Sequence, residues 1–164
     1  MTNDYVTTDK YVLFWGSFLC NFYPSPFKYN GITFRTSEQF FMWSKAKFFN
    51  DEYTADLILK AISPKEAKRL GRLVKNYDDS KWYDESIKAM SLAIKLKFDS
   101  NDELRERLLS LGDRMFVEGS PYDKKWGIGI KYNDPLATNS RNWKGENLLG
   151  KIITDYRNSL LKVK

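Results

Sequence analysis

Histidine is absent from this chain, and cysteine occurs once, at Cys20. Without imidazole, the usual general base and the usual transition-metal ligand are missing. Ser-His-Asp and Cys-His mechanisms are therefore excluded. A single thiol forms no internal disulfide and no thiolate zinc site; within FLCNF it reads as a small core residue. No apolar run approaches the roughly 20 residues that span a bilayer, and MTNDYVTTDK has no signal-peptide core. These absences describe a soluble, cytoplasmic protein of a reducing compartment, with no membrane association.

What is present is more informative. The 164 residues suit one domain around one core, and 42% hydrophobic content argues for a packed globule. Aromatic residues make up 16%, and the formal charge is +6. Rings in a basic chain serve the core first, but they also stack nucleobases. The positive balance favours a polyanion or a phosphate-bearing ligand.

Periodicity and turn residues outline the elements. YVLFWGSF, Tyr11–Phe18, reads as a strand. FKYNGITF places Asn30-Gly31 between two alternating arms, a type I′ hairpin. Thr36 or Ser37 caps a helix running to about Phe49, with Thr36 and Gln39 at capping-box spacing. Further helices are expected over Glu52–Ile62, from Ser63-Pro64-Lys65-Glu66 to Gly71-Arg72, from Asp79 or Ser80 through Phe98, and from a cap at Asn101 to Gly112. RMFVEGS and WGIGI read as short strands or extended pieces, residues 133–142 as loop, and Asn147–Leu161 as a final amphipathic helix. The expected architecture is α+β: a single mostly helical domain over residues 11–164 with a small β-sheet including an N-terminal hairpin, preceded by a short polar segment over 1–10.

Four constellations could carry chemistry. On the helix TSEQFFMWSK, Glu38 and Lys45 share a face with Phe41, Met42, Phe48 and Phe49, about 10.5 Å apart along the axis. A charge in apolar surroundings is costly unless paired, hydrogen-bonded or wet. Glu38 can simply favour the helix dipole, and Lys45 can snorkel along the phenylalanines. Alternatively the face lines a pocket, where a partly desolvated lysine is a nucleophile able to form a Schiff base with a sugar carbon and the glutamate shuttles protons. VEGSPYDKKWGIG adds Glu118 and Asp123 beside Trp126, with glycines that admit close approach of a ligand; the alternative is a solvated turn over a core tryptophan. NWKGENLLG opens the last helix near Asn147, either as a plain cap or as a phosphate site. In LGR, Arg72 ends a helix ten residues before Trp82 and suits a phosphate or a surface ion pair.

These segments, in this order, resemble the NADAR domain family, also called YbiA-like. The matching pieces are CNFYPSPF with a following G-x-x-F, TSEQ-x-F with a lysine seven beyond the glutamate, and LGR-x-V. They continue with a lone W before a long helix, KF-x-x-N-x-x-L, VE-x-S-x-x-D-x-x-W-G-x-G, and G-x-N-x-LG ending in an arginine at Arg157. Cys20 stands where relatives often have serine, and the segment Lys131–Asn142 is longer than in the shortest relatives. The resemblance implies N-glycosidase activity, cleaving a bond between nitrogen and ribose C1. Two substrate classes come with it: ADP-ribose attached to guanine in DNA, and ribosylamino-pyrimidine phosphates of riboflavin synthesis. The site residues it implies are Glu38, Lys45 and Asp123 as catalytic groups, and Asn21, Arg72, Trp82, Glu118, Trp126, Gly127 and Asn147 as substrate contacts. No metal or other cofactor is called for. The ADP-ribose moiety and ADP-ribosylated DNA are the expected partners, and no obligatory protein partner is evident. Binding and sequestering of an ADP-ribose-like nucleotide is the non-enzymatic alternative.

Overall fold

A computed structural model describes residues 4–162, so the ends of the expected N-terminal segment (1–3) and domain (163–164) lie outside the described residues. The chain forms two compact units. One is the continuous stretch Pro24–Asn101; the other joins the chain up to Tyr23 with the chain from Asp102 onward. We call them the helical unit and the sheet unit. The architecture is α+β, as the sequence indicates.

The helical unit begins with the foreseen hairpin. Strands β3 (Phe27–Tyr29) and β4 (Ile32–Phe34) pair antiparallel, with Tyr29 opposite Ile32. Asn30 and Gly31 both have positive φ, 50° and 80°, as a type I′ turn requires. Helix α1 (Ser37–Phe48) is the hub onto which α2 (Glu52–Leu59), α3 (Pro64–Gly71) and α4 (Asp79–Asp99) pack. It starts at Thr36, whose hydroxyl accepts from the Gln39 N–H at 3.1 Å. The Gln39 side chain makes a bracket instead of closing the capping box. Its Oε1 accepts from the Arg35 N–H, and its Nε2 donates to the Ile58 and Leu59 carbonyls at the end of α2. Phe40 meets Phe27 and Phe34 on the hairpin, forming a core with Ala93 of α4.

Helix α2 stops at Leu59, short of the expected Ile62. Its cap, Asp51, accepts from the Thr54 N–H and hydroxyl and, across the unit, from the Lys75 N–H. Helix α4 opens at Asp79, one of the two residues expected, and Asp78 is its cap, accepting from the Ser80 N–H and hydroxyl. Asn101 turns its amide nitrogen back to the Lys97 and Pro26 carbonyls.

In the sheet unit, strand order is β1 (Tyr5–Thr7), β2 (Tyr11–Phe14), β5 (Met115–Glu118). The polar N-terminal segment therefore contributes a strand, because Tyr5, Val6 and Thr7 find an antiparallel partner in β2. Strand β2 is shorter than expected and ends at Phe14, before Trp15-Gly16. It pairs parallel with β5, Phe14 lying opposite Glu118. Leu13, Val117, Ile128, Ile130 and Ala137 form the core. Cys20 is half-buried, not fully internal as its apolar neighbours suggest; its Sγ accepts from the Phe22 N–H at 3.4 Å in the turn after β2. Helix α5 spans Asp102–Ser110, and the loop over 133–142 winds into two short 3₁₀ turns, Pro135–Thr138 and Ser140–Asn142.

Helix α6 (Leu148–Leu161) packs on β5. Arg157, buried in that helix, lies over the Phe116 ring and donates to the carbonyls of Gly112, Asp113 and Arg114. It thus ties the α5–β5 connection to the last helix. Burial pulls its guanidinium below the usual arginine value, but arginine stays charged across the working pH range.

Candidate active site

Four of the predicted site residues lie in the helical unit: Glu38, Lys45, Arg72 and Trp82. Six lie in the sheet unit: Asn21, Glu118, Asp123, Trp126, Gly127 and Asn147.

In the helical unit, α1 carries both charges in dense surroundings. Glu38, in the first turn, is only 7% exposed. Lys45, two turns later, is half-buried, with its Nζ 4.4 Å from the centre of the Tyr77 ring. A cation over an aromatic face is attracted by the ring quadrupole. Around it stand Phe48 and Phe49, whose rings are 4.9 Å apart, and Phe49 reaches Tyr77 at 5.5 Å. The apolar face inferred from the helical wheel is therefore an aromatic wall, and Lys45 is set into it.

Trp82 belongs to that wall. Its ring is packed by Phe41, Phe48 and Phe49 at 5.6, 5.5 and 6.1 Å, and the residue is 4% exposed. Expected to stack on a base or ribose, this ring is covered by three rings of α1, the helix that carries Lys45. Arg72 caps the end of α3 and is exposed, as an anion contact requires.

Tyr77 is the group that sequence reading missed. Its hydroxyl donates to Asp79 Oδ1 at 2.7 Å. Partial desolvation and that bond push the phenol up to about 12, so it stays protonated and presents its ring, not an oxyanion, to Lys45. No spacing rule links positions 45 and 77; the only signal was an aromatic directly before an Asp-Asp-Ser cap. A cavity of about 160 Å³ beside the starts of α1 and α3, lined by Arg35, Thr36, Gln39 and Ser63 among others, contains none of the predicted residues.

In the sheet unit, five of the six predicted residues meet beyond the carboxyl end of β5. Glu118 closes the strand. Its N–H donates to Asn147 Oδ1 at 2.9 Å, while Asn147 Nδ2 donates to the Phe116 carbonyl at 3.1 Å. Asn147 is fully buried, with φ of 54°. Its side chain thus braces β5 and is not displayed towards a ligand. Asp123 Oδ1 accepts from the Lys125 and Trp126 N–H groups at 2.9 and 2.8 Å, folding the loop into a tight turn. Trp126 is half-buried, with the Lys125 ammonium 4.8 Å from its ring centre. Asn21, the sixth, is buried in the turn after β2.

Two expectations for this loop are corrected. The start of α6 was a candidate phosphate site, but its amides have protein partners. Asn147, Leu148 and Leu149 donate to the carbonyls of Gly127, Lys125 and Trp126. The glycines were read as room for a ligand, yet the chain's own backbone fills that room. A Cβ at Gly145 would stand 2.3 Å from the Gly127 carbonyl oxygen, and one at Gly127 2.9 Å from that of Glu118. The segment is a backbone clasp between residues 124–128 and 144–149.

With this geometry in view, the NADAR domain family matches residues 13–161, nearly the whole chain. The chain belongs to the NADAR domain family. Among its relatives is an N-glycosidase of Acanthamoeba polyphaga mimivirus, 34% identical over 163 residues, which cover 92% of this chain and 96% of that protein. N-glycosidase YbiA of Escherichia coli is 32% identical over 158 residues, covering 96% of this chain and 87% of its own. The NMR structure of YbiA superposes with a TM-score of 0.77 at 29% identity, covering 96% of this chain and 89% of that one. A riboflavin biosynthesis protein of Vibrio vulnificus is 30% identical over 143 residues, 87% of this chain but 35% of that protein. The family members matched over nearly their whole length are thus largely named N-glycosidases. Among the described residues, no helix is long and apolar enough to cross a membrane.

Proposed function

We propose that this chain is an N-glycosidase that hydrolyses a bond between nitrogen and ribose C1, and that its substrate is ADP-ribose attached to guanine in DNA. The observation that carries the catalytic part is α1: a buried glutamate and, two turns on, a half-buried lysine set in an aromatic wall. A chain without histidine must use such groups for acid–base and nucleophilic chemistry. The names of the relatives support the reaction class. The net charge of +6 supports a substrate that carries phosphates.

In this mechanism a carboxylic acid, Glu38 or Asp123, assists opening of the sugar and protonates the leaving nitrogen. The carboxylate so formed takes a proton from the Lys45 ammonium, and the resulting neutral amine attacks C1. The C1–N bond breaks with its electron pair going to the base, and a Schiff base joins C1 to Nζ. Water then adds to C1 and releases free sugar and lysine. The sum is substrate plus water giving guanine base and ADP-ribose. Glu118, Trp126 and Asn21 contact substrate, and Arg72 holds phosphate. Asn147 and Trp82 act as braces.

An oligonucleotide carrying ADP-ribosylated guanine, incubated with the protein, is expected to release ADP-ribose, and borohydride is expected to trap a sugar adduct on Lys45. Full turnover by Lys45→Ala overturns the mechanism. A second reading, hydrolysis of a ribosylamino-pyrimidine phosphate, is favoured by the riboflavin biosynthesis relative. Turnover of that compound and not of the oligonucleotide decides for it. Tight ADP-ribose binding with neither activity decides for sequestering.

A further inference from the structure

We infer that the ring pair Trp15–Tyr122, with the lysines beside it, is a platform for single-stranded DNA on which a base flanking the target stacks. This rests on the DNA reading of the substrate above and adds to it a surface outside the reacting groups. Tyr122 is 84% exposed, the most exposed of the large hydrophobic residues described. It is nevertheless held: its ring lies 5.9 Å from that of Trp15, tilted by 58°, and its N–H donates to the hydroxyl of buried Ser120. Trp15 directly follows β2 and Tyr122 lies four residues beyond β5. Both rings are thus carried at the same end of the parallel pair, the end that also carries Glu118.

The exposed charges of residues 122–146 are mostly positive. Lys124, Lys131, Arg141 and Lys144 are exposed. Lys124 and Lys144 come together across Gly129, their Cγ and Cβ atoms 3.3 and 3.2 Å from where a Cβ there would stand. Two of the three acids in this stretch are turned to the backbone. Asp123 accepts from two amides of its own turn, and Asp134 accepts from the Leu136 N–H; Glu146, the third, is exposed among the four cations. A held, open ring amid exposed cations matches a strand whose bases have free faces and whose backbone is anionic. A duplex offers no open face to such a ring.

The test measures binding of a fluorescent, unmodified single-stranded oligonucleotide by anisotropy, together with turnover of ADP-ribosylated guanine as a free nucleotide and within an oligonucleotide. Tyr122→Ala is expected to weaken strand binding about tenfold, with Tyr122→Phe near wild type. Lys124→Gln with Lys144→Gln lowers the salt dependence of binding. Neither change alters turnover of the free nucleotide. Equal strand binding by wild type and Tyr122→Ala, or an equal loss on the free nucleotide, overturns the platform. Wild-type turnover of neither substrate, with Tyr122-dependent strand binding retained, overturns the proposed substrate and supports the platform.

Discussion

In the helical unit the proposed catalytic groups are side chains on one helix, with an aromatic wall around Lys45. In the sheet unit they sit on a loop whose backbone is already tied to itself. The backbone of helix α1 is largely hydrogen-bonded within the helix, so it does not call on the Glu38 and Lys45 side chains in the way the loop calls on Asp123. The 124–128 segment has no such ladder. Its amides and carbonyls are satisfied by the 144–149 strand of chain and by the Asp123 carboxylate. Most of the polar atoms there are structural, and those left to meet a ligand are few. The same residue types thus mean different things in the two units, depending on whether the backbone has already found its partners.

The contrast can be tested from both sides. Lys45→Ala is expected to lower turnover by at least about 10³-fold, near 4 kcal/mol of barrier, with the melting temperature almost unchanged. A comparable loss of fold stability makes Lys45 a structural residue and erases the contrast. Gly145→Ala should do the reverse, lowering stability by about 3 kcal/mol, because its Cβ meets backbone atoms that cannot step aside. Denaturant unfolding measures it. Asp51→Asn removes part of a cap and a bracket within the helical unit at a cost of about 1 kcal/mol at neutral pH. Hydrogen bonds from the Lys75 N–H and the Thr54 hydroxyl, the largest causes, hold this carboxyl below its usual 3.8. Its contribution is therefore full above that value and disappears as pH falls through the lower, folded-state one. Melting curves from pH 5 downwards should decline more steeply for wild type than for Asp51→Asn. The smallest effect is expected at Tyr77. Tyr77→Leu removes the ring under the lysine, worth about 0.5–1 kcal/mol, while Tyr77→Phe keeps it and leaves turnover nearly unchanged; single-turnover kinetics separates the two.

Local signals were legible where local physics decides. Asn30-Gly31 specified its turn, and Ser63-Pro64 its helix start, because a hairpin turn and a helix cap are settled within four or five residues. The face of α1 was legible too, since its period is intrinsic. The brackets were not. Gln39 reaching Leu59, Tyr77 meeting Lys45 and Asn147 holding β5 each join positions with no common spacing. Strand β1 was hidden because three residues carry too little periodicity, and it exists only because β2 offers an edge. The packing around Trp82 and the partners of the α6 amides were hidden for one reason: a sequence shows a group's chemistry but not which neighbours already occupy it.

Parallel pairing of β2 with β5, with Tyr11 opposite Met115, has a consequence for the order of events on the ribosome. The whole helical unit is made between these strands, as one uninterrupted stretch. It can therefore assemble while β2 waits without its parallel partner. The sheet unit closes only after β5, the clasp at 144–149 and Arg157 have emerged. Synthesis should thus yield the helical half early, and a stall before β5 should leave the β2 edge open to aggregation.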